Sequence, residues 1–328
     1  MKFEQRIARP LLTLIATVGA LGIATGAAAQ GDSSRDTLRI VVPFGPGTPL
    51  DVIARDIVQE MRPLLQQTIV VENRPGAAGM IGGAELARTT TPATTFMLTT
   101  HNTVVINPHL YKNMSYQPQR DFIPVGLVGV GGYVLVASPT SPFKTLDQYL
   151  SEAKAHPGKV SYGSLGIGSG PHMCGEMLVE KTKVKLLHVP FTTGSIVNVV
   201  SGQVDSSWEP YATAAPFIKT GKLVPLGAST NYRASVFPST VPLLPELLSG
   251  YECTSWIGLF ASAKAPEPAV RRLSEALTKV VQSPAFQERL LTNGFLPKLA
   301  TPAEMRDLIA NDTKTWARIV SETGLKLE

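Results

Sequence analysis

From residue 37 onward, short β-branched runs alternate with stretches whose apolar positions recur at helical spacing. Residues 37–43 (TLRIVVP) predict a strand, and residues 50–65 a helix with Val52, Ile53, Ile57, Val58 and Met61 along one side. Residues 68–72 read as a second strand, 82–88 as a short helix and 95–99 as a third strand. Residues 126–138 are apolar almost throughout, as in a strand buried on both faces. The alternation then repeats, with helices at 146–155, 171–181, 195–201 and 211–220 and strands at 160–162, 185–189, 204–208 and 223–228. A strand at 256–261 precedes three C-terminal helices, 268–282, 284–293 and 302–322. Each of these starts at a proline, which suits a first helical turn.

This pattern predicts an α/β fold with mostly parallel sheets flanked by helices. The segments near 133–138 and 251–261 look like crossings between two lobes. The expected division is 37–132 plus 251–328 as a discontinuous first lobe and 133–250 as the second. No tandem repeat or low-complexity tract interrupts it, so the 26 prolines and 28 glycines punctuate turns.

The first 29 residues stand apart. Lys2, Arg6 and Arg9 precede an apolar run from residue 11 to 24, and Ala27-Ala28-Ala29 supplies small residues for signal peptidase. The run is about 14 residues, short of the ~20 needed to span a bilayer, and no lipobox cysteine follows. Residues 1–29 are therefore expected to be a cleaved signal peptide that releases the mature chain into the periplasm. The formal charge of +5 is scattered without a basic stripe, so neither nucleic acid nor an anionic membrane surface is an expected partner.

Cys174 and Cys253 are the only cysteines. A long-range bridge and two buried thiols both remain open; thiols are the expectation, because free cysteine packs as a small apolar residue.

Four strand-to-helix junctions share one chemistry, rich in hydroxyls and backbone amides and poor in charge. The first runs from Pro43 through Phe44, Gly47 and Thr48 to Asp51. The second holds Thr100, His101 and Asn102. The third is Gly163-Ser164-Leu165-Gly166-Ile167-Gly168-Ser169-Gly170-Pro171-His172, and the fourth is Phe191, Thr192, Thr193, Gly194 and Ser195. Each alone reads as ordinary helix capping. Together, at the carboxyl ends of strands, they form a candidate cleft in which helix-start amides bind an anion. Glu209 and Tyr211 follow another strand and join the candidate set. Glu209 fits an anion site only if it accepts a ligand hydroxyl or amine, or faces away. Trp208 and His188 are expected to pack in the core.

Catalytic and metal readings find little support. There is no G-x-S-x-G elbow, and pairing of Ser169 with His172 reads as capping. The glycines at 163, 166, 168 and 170 match neither phosphate-binding pattern. Histidines 101, 109, 156, 172 and 188 lack metal-ligand spacing. No cofactor, metal or catalytic activity is expected.

The chain resembles the Bug-type receptors of tripartite tricarboxylate transporters. The likeness is carried by Pro43-Phe44-Gly45-Pro46-Gly47 with Asp51, Val70-Val71-Glu72-Asn73-Arg74-Pro75-Gly76-Ala77-Ala78-Gly79 and Ile106-Asn107-Pro108-His109-Leu110-Tyr111. His188-Val189-Pro190-Phe191, Ser201-Gly202-Gln203-Val204-Asp205, Gly221-Lys222-Leu223 and Ser255-Trp256-Ile257-Gly258-Leu259-Phe260-Ala261 also match. The resemblance implies a two-lobe periplasmic-binding fold acting as a monomer, which captures a small carboxylate and delivers it to membrane permease subunits. It implies pocket contacts in the four junctions and a structural turn at Asn73–Gly76. Such receptors bind citrate-like acids, dicarboxylates, acidic amino acids and aromatic acids such as terephthalate. Departures are Thr192-Thr193 where a lysine is usual, Glu209 where an aspartate is usual, and Thr48 and Leu50 in the first junction. These make the expected pocket more apolar and favour an aromatic or less highly charged acid. Presentation of ligand to a sensor kinase is the alternative role, and a periplasmic hydrolase a remoter one.

Overall fold

The computed structural model describes residues 37–191, 194–232 and 239–327. The expected signal peptide and the two site candidates Thr192 and Thr193 lie outside the described residues.

The chain runs β1 (Leu38–Val42), α1 (Pro49–Leu65), β2 (Ile69–Asn73), α2 (Met80–Arg88) and β3 (Thr95–Thr100). A π-helical turn, Asn102–Ile106, leads into the short helices α3 (Asn107–Leu110) and α4 (Pro118–Asp121), then the 16-residue strand β4 (Phe122–Ala137). Next come α5 (Leu146–Ala155), β5 (Ser161–Ser164), α6 (Gly170–Thr182), β6 (Leu187–Pro190), α7 (Ile196–Val200) and β7 (Ser206–Pro210). The chain continues through α8 (Tyr211–Lys219), β8 (Val224–Ala228), α9 (Leu244–Leu247) and β9 (Thr254–Ser262). It ends with α10 (Glu267–Gln282), α11 (Pro284–Thr292), β10 (Phe295–Pro297) and α12 (Pro302–Thr323).

The expected helices and strands recur within a few residues, α5 to the residue, because most helix starts carry a local signal, a side-chain cap or a proline in the first turn. Thr48, Thr145, Ser169, Ser283 and Thr301 all cap with their side chains, and α12 opens with a full Thr301–Glu304 capping box. The π-helical turn carried no such signal.

Strand order is β2-β1-β3-β9-β4-β7-β5-β6, with β8 and β10 also pairing on β4. Pairing is parallel at both flanks, β1 with β2 and β3, and β5 with β6 and β7. At the centre β9 and β4 run antiparallel to each other and to their other partners. The sheet is therefore mixed, because two long strands return through its middle.

β4 is the spine. Its residues Phe122 to Gly132 pair with β9, and Tyr133 to Ala137 pair with β7 and β8. The change of partners falls at Gly132, where a Cβ would collide with the Tyr211 ring and with Thr230. Side chains alternate across β4, with Val134 and Val136 in the core beneath α7 and α8, and Leu135 and Ala137 in the core beneath α5 and α6. Val125 and Val128 join Ile53, Ile57, Met61, Leu273 and Leu277 in the core under α1 and α10. The continuous apolar run in the sequence thus reflects burial on both faces.

The cysteines form a disulfide, Cys174 to Cys253, correcting the expectation of free thiols. Their Cα atoms stand 5.5 Å apart, within bridging range, a proximity created by folding across 79 residues. The bridge ties the first turns of α6 to the segment entering β9. Replacing both cysteines with alanine should lower unfolding free energy by up to about 4.5 kcal/mol, the loop-entropy value for a loop of this size; urea denaturation with and without reductant measures it.

Candidate functional site

A cavity of about 310 Å³ opens where the helix starts of α1, α6 and α8 meet the bend of β4. Thr48, Pro49 and Leu50 line it from α1, Ser169, Gly170 and Pro171 from α6, and Pro210, Tyr211 and Ala212 from α8. Three helix dipoles therefore present their positive ends to one space. Among the described residues no lining side chain is charged, and none offers a hydrogen-bond acceptor to the Leu50 or Gly170 amide. Phe44, Leu165, Ile167, Ile257 and Phe295 supply apolar walls.

Six of the expected contacts line this cavity: Phe44, Thr48, Thr100, Asn102, Ser169 and Tyr211. Their hydrogen bonds differ. The Thr48 hydroxyl donates to the Gly45 carbonyl at 2.8 Å, and Tyr211 Oη pairs with Thr230 Oγ1 at 2.8 Å. Asn102 Nδ2 donates to the Gly168 carbonyl at 2.7 Å, tying the second junction to the third. Ser169 Oγ accepts from the His172 amide, which leaves its own proton for a ligand.

The other expected residues stand behind the lining. Asp51 is buried and turned into its own loop. It accepts from the Gly47 amide at 2.9 Å, from Asn73 Nδ2 at 2.8 Å and from Arg55 through two 3.0 Å contacts. Burial pushes its carboxyl up, but these partners outweigh that and hold it below the usual range. Asn73 Nδ2 also donates to the Phe44 carbonyl at 3.0 Å. Glu72 and Arg74 flank Asn73 in an ion network with Arg39 and Glu85. The Glu72-Asn73-Arg74-Pro75-Gly76 block thus braces the first junction, and Asp51 and Gly47 are parts of that brace.

Glu209 faces away from the cavity. Its Oε1 accepts from Ser195 Oγ at 2.6 Å and Ser207 Oγ at 2.9 Å, so Ser195 is engaged as well. Burial raises the Glu209 pKa against the lowering by the two hydroxyls. Phe191 packs beside Val189 at the edge of the α7–α8 core, and Gly194 turns the chain at a positive φ of 89°. The repulsion that Glu209 would have exerted on an anion is thereby avoided. Trp208 is fully buried, as expected.

Ser164, Gly168 and His172 form a layer under the third junction. The Gly168 amide donates to His172 Nδ1 at 3.0 Å, so the proton of the neutral ring sits on Nε2, facing Glu176 at 3.5 Å. His172 stacks on His188 with ring centroids 3.9 Å apart, and His188 Nε2 pairs with Ser164 Oγ at 2.7 Å. His188 is half-buried in a ring stack between Tyr162 and His172, as the packing expectation required. Burial first, then the neighbouring His172, pushes its pKa down to about 4. His101 is also behind the wall: fully buried, its pKa pushed down to about 3 by burial, with Nδ1 3.2 Å from Ser255 Oγ.

Several lining residues had not been singled out, among them Tyr133, Ser255, Asn293 and Phe295. Tyr133 and Ser255 sit on the crossing strands, where each was a polar interruption in an apolar run. Asn293 comes from the α11–β10 turn, which read only as a helix end. No group of three potential metal ligands occurs among the described residues.

A mixed sheet with helix starts gathered around an uncharged cleft defines a small-solute receptor of the periplasmic-binding class. The solved periplasmic binding protein BugD is 30% identical with a TM-score of 0.77, covering 89% of this chain and 99% of that one. Rpa4515 of R. palustris, solved with adipate, is 25% identical with a TM-score of 0.80, covering 88% and 98%. MatC of Rhodopseudomonas palustris, solved with bound malate, is 29% identical with a TM-score of 0.76, covering 87% and 98%. The family model for the tripartite tricarboxylate transporter family receptor matches residues 53–325, and the chain belongs to that family. The family is one of receptors, not enzymes.

The unfolded chain protonates histidine near pH 6.5, whereas folded His188 and His101 stay neutral to about pH 4 and 3. The unfolded state then binds more protons, so stability should fall as pH drops from about 6.5 toward 4. Denaturant melts across that window should give a positive slope of stability against pH, shallower in His188→Gln.

Proposed function

We propose that this chain captures a small carboxylate with an apolar, preferably aromatic, body in the periplasm and hands it to the permease subunits of a tripartite tricarboxylate-type transporter. The observation that carries the reading is the convergence of the α1, α6 and α8 starts on a cavity with no charged lining. Such a site neutralises one acid group with amides and hydroxyls and surrounds the rest of the ligand with Phe44, Leu50, Leu165, Ile167 and Phe295. A highly charged tricarboxylate would lose hydration at its further acid groups without gaining a countercharge.

The solved relatives holding adipate and malate support a carboxylate ligand. Terephthalate and benzoate fit the apolar walls better than citrate does. Residues 1–29 serve as the export signal, and no helix among the described residues is long and apolar enough to cross a membrane. The two lobes, 37–132 with 251–328 and 133–250, would close about β4 and β9 on binding. Contacts come from Phe44, Thr48, Leu50, Thr100, Asn102, Ser169 and Tyr211, with Asp51, Glu209 and His172 holding the junctions in shape.

Thermal and calorimetric titration with benzoate, terephthalate, adipate, glutamate and citrate tests the reading. An aromatic acid at about 100-fold its Kd should add about 2.7 kcal/mol of stability. A preference for citrate would reject the apolar-acid assignment.

A further inference from the structure

We infer that Tyr133 is a specificity-determining donor, through which the cavity selects acids that carry a second hydrogen-bond acceptor. The inference deepens the carboxylate reading and rests on it. Tyr133 is the first residue of β4 beyond the change of partners, and only 7% of it is exposed. Its ring crosses from β4 to the start of α6. A Cβ on Gly170 would collide with the Tyr133 hydroxyl, so the phenol oxygen lies directly against the helix start that lines the cavity.

Beside it on the cavity wall, Ser255 Oγ lies 3.2 Å from His101 Nδ1. His101 Nε2 is buried without a partner. A buried N–H left unpaired is rarer than an unpaired acceptor, which favours the tautomer with the proton on Nδ1. In that tautomer His101 donates to Ser255, so both are engaged with each other. Burial pushes the Tyr133 phenol up to about 12, so its proton is retained at every physiological pH, and the hydroxyl has no acceptor among the described residues. Tyr211, the other lining phenol, is engaged with Thr230.

A donor on an apolar cavity wall gains a hydrogen bond from a ligand acceptor and loses its water to a ligand that has none. The group recognised is a carbonyl, nitro or second carboxylate oxygen on the far side of the acid. A ligand with a plain hydrocarbon end leaves the donor unpaired.

The test measures Kd calorimetrically for two probe pairs, benzoate against 4-acetylbenzoate and hexanoate against adipate, with wild type, Tyr133→Phe and Ser255→Ala. Wild type should favour the acceptor-bearing member by about 3- to 10-fold, the range of one net hydrogen bond. Tyr133→Phe should erase that preference while leaving benzoate and hexanoate unchanged. Ser255→Ala, which removes another lining hydroxyl but keeps the phenol, should leave the preference in place. Equal weakening of both members of each pair, or an undiminished preference in Tyr133→Phe, would overturn the role of Tyr133 alone. Failure of every acid to bind wild type would overturn the carboxylate reading and this inference with it.

Discussion

An anion enclosed without a cationic side chain has to be neutralised by backbone amides, and amides do this only when they are already aimed and held. In water their dipoles would be competed away; in a walled cavity their orientation is what counts. Much of the chemistry around this cavity serves that constraint. The α1 start is fixed by Asp51, Asn73 and Arg55, which lock the Phe44–Gly47 loop from behind. The α6 start is fixed by Ser169 at its cap, His172 under the loop and Asn102 across from it. The α8 start follows β7 without a side-chain cap, and Tyr211 is anchored on Thr230.

The same constraint explains where the ionisable groups sit. Asp51, Glu176, Glu209, His101 and His172 all lie one layer behind the lining, hydrogen-bonded to the backbone or hydroxyls that shape it. A carboxylate in the lining would repel the proposed ligand, and a lysine would hold it longer than a carrier requires. Shifting charge into the second layer leaves hydroxyls and helix starts in contact with the ligand. The disulfide adds a covalent tie between the first turns of α6 and the entry to β9, so the most glycine-rich junction is secured from a third side.

The elements were largely legible because their signals are local. Capping residues, prolines at first helical turns and the apolar period fix helices and strands without reference to distant chain. Residues of the first three of the four expected junctions line the cavity, whereas the described residues of the fourth do not. The roles of individual residues within the junctions were not legible. Asp51 and Glu209 are acids next to strand ends, and the sequence offers no way to distinguish a side chain facing a cavity from one turned back onto its own loop. Tyr133 and Ser255 were hidden inside apolar strands, since their exposure to the cavity depends on the register of β4 against β9.

What the sequence by itself determined is therefore the alternation of elements, most of their starts, and the scarcity of charge in the junctions, all of which depend on neighbours within about one helical turn. Tertiary structure decided the antiparallel centre of the sheet, the pairing of Cys174 with Cys253 across 79 residues, and which polar groups face the cavity and which brace it. Those outcomes depend on long-range register and burial, where a shift of one residue along β4 would turn Tyr133 to the opposite face of the sheet.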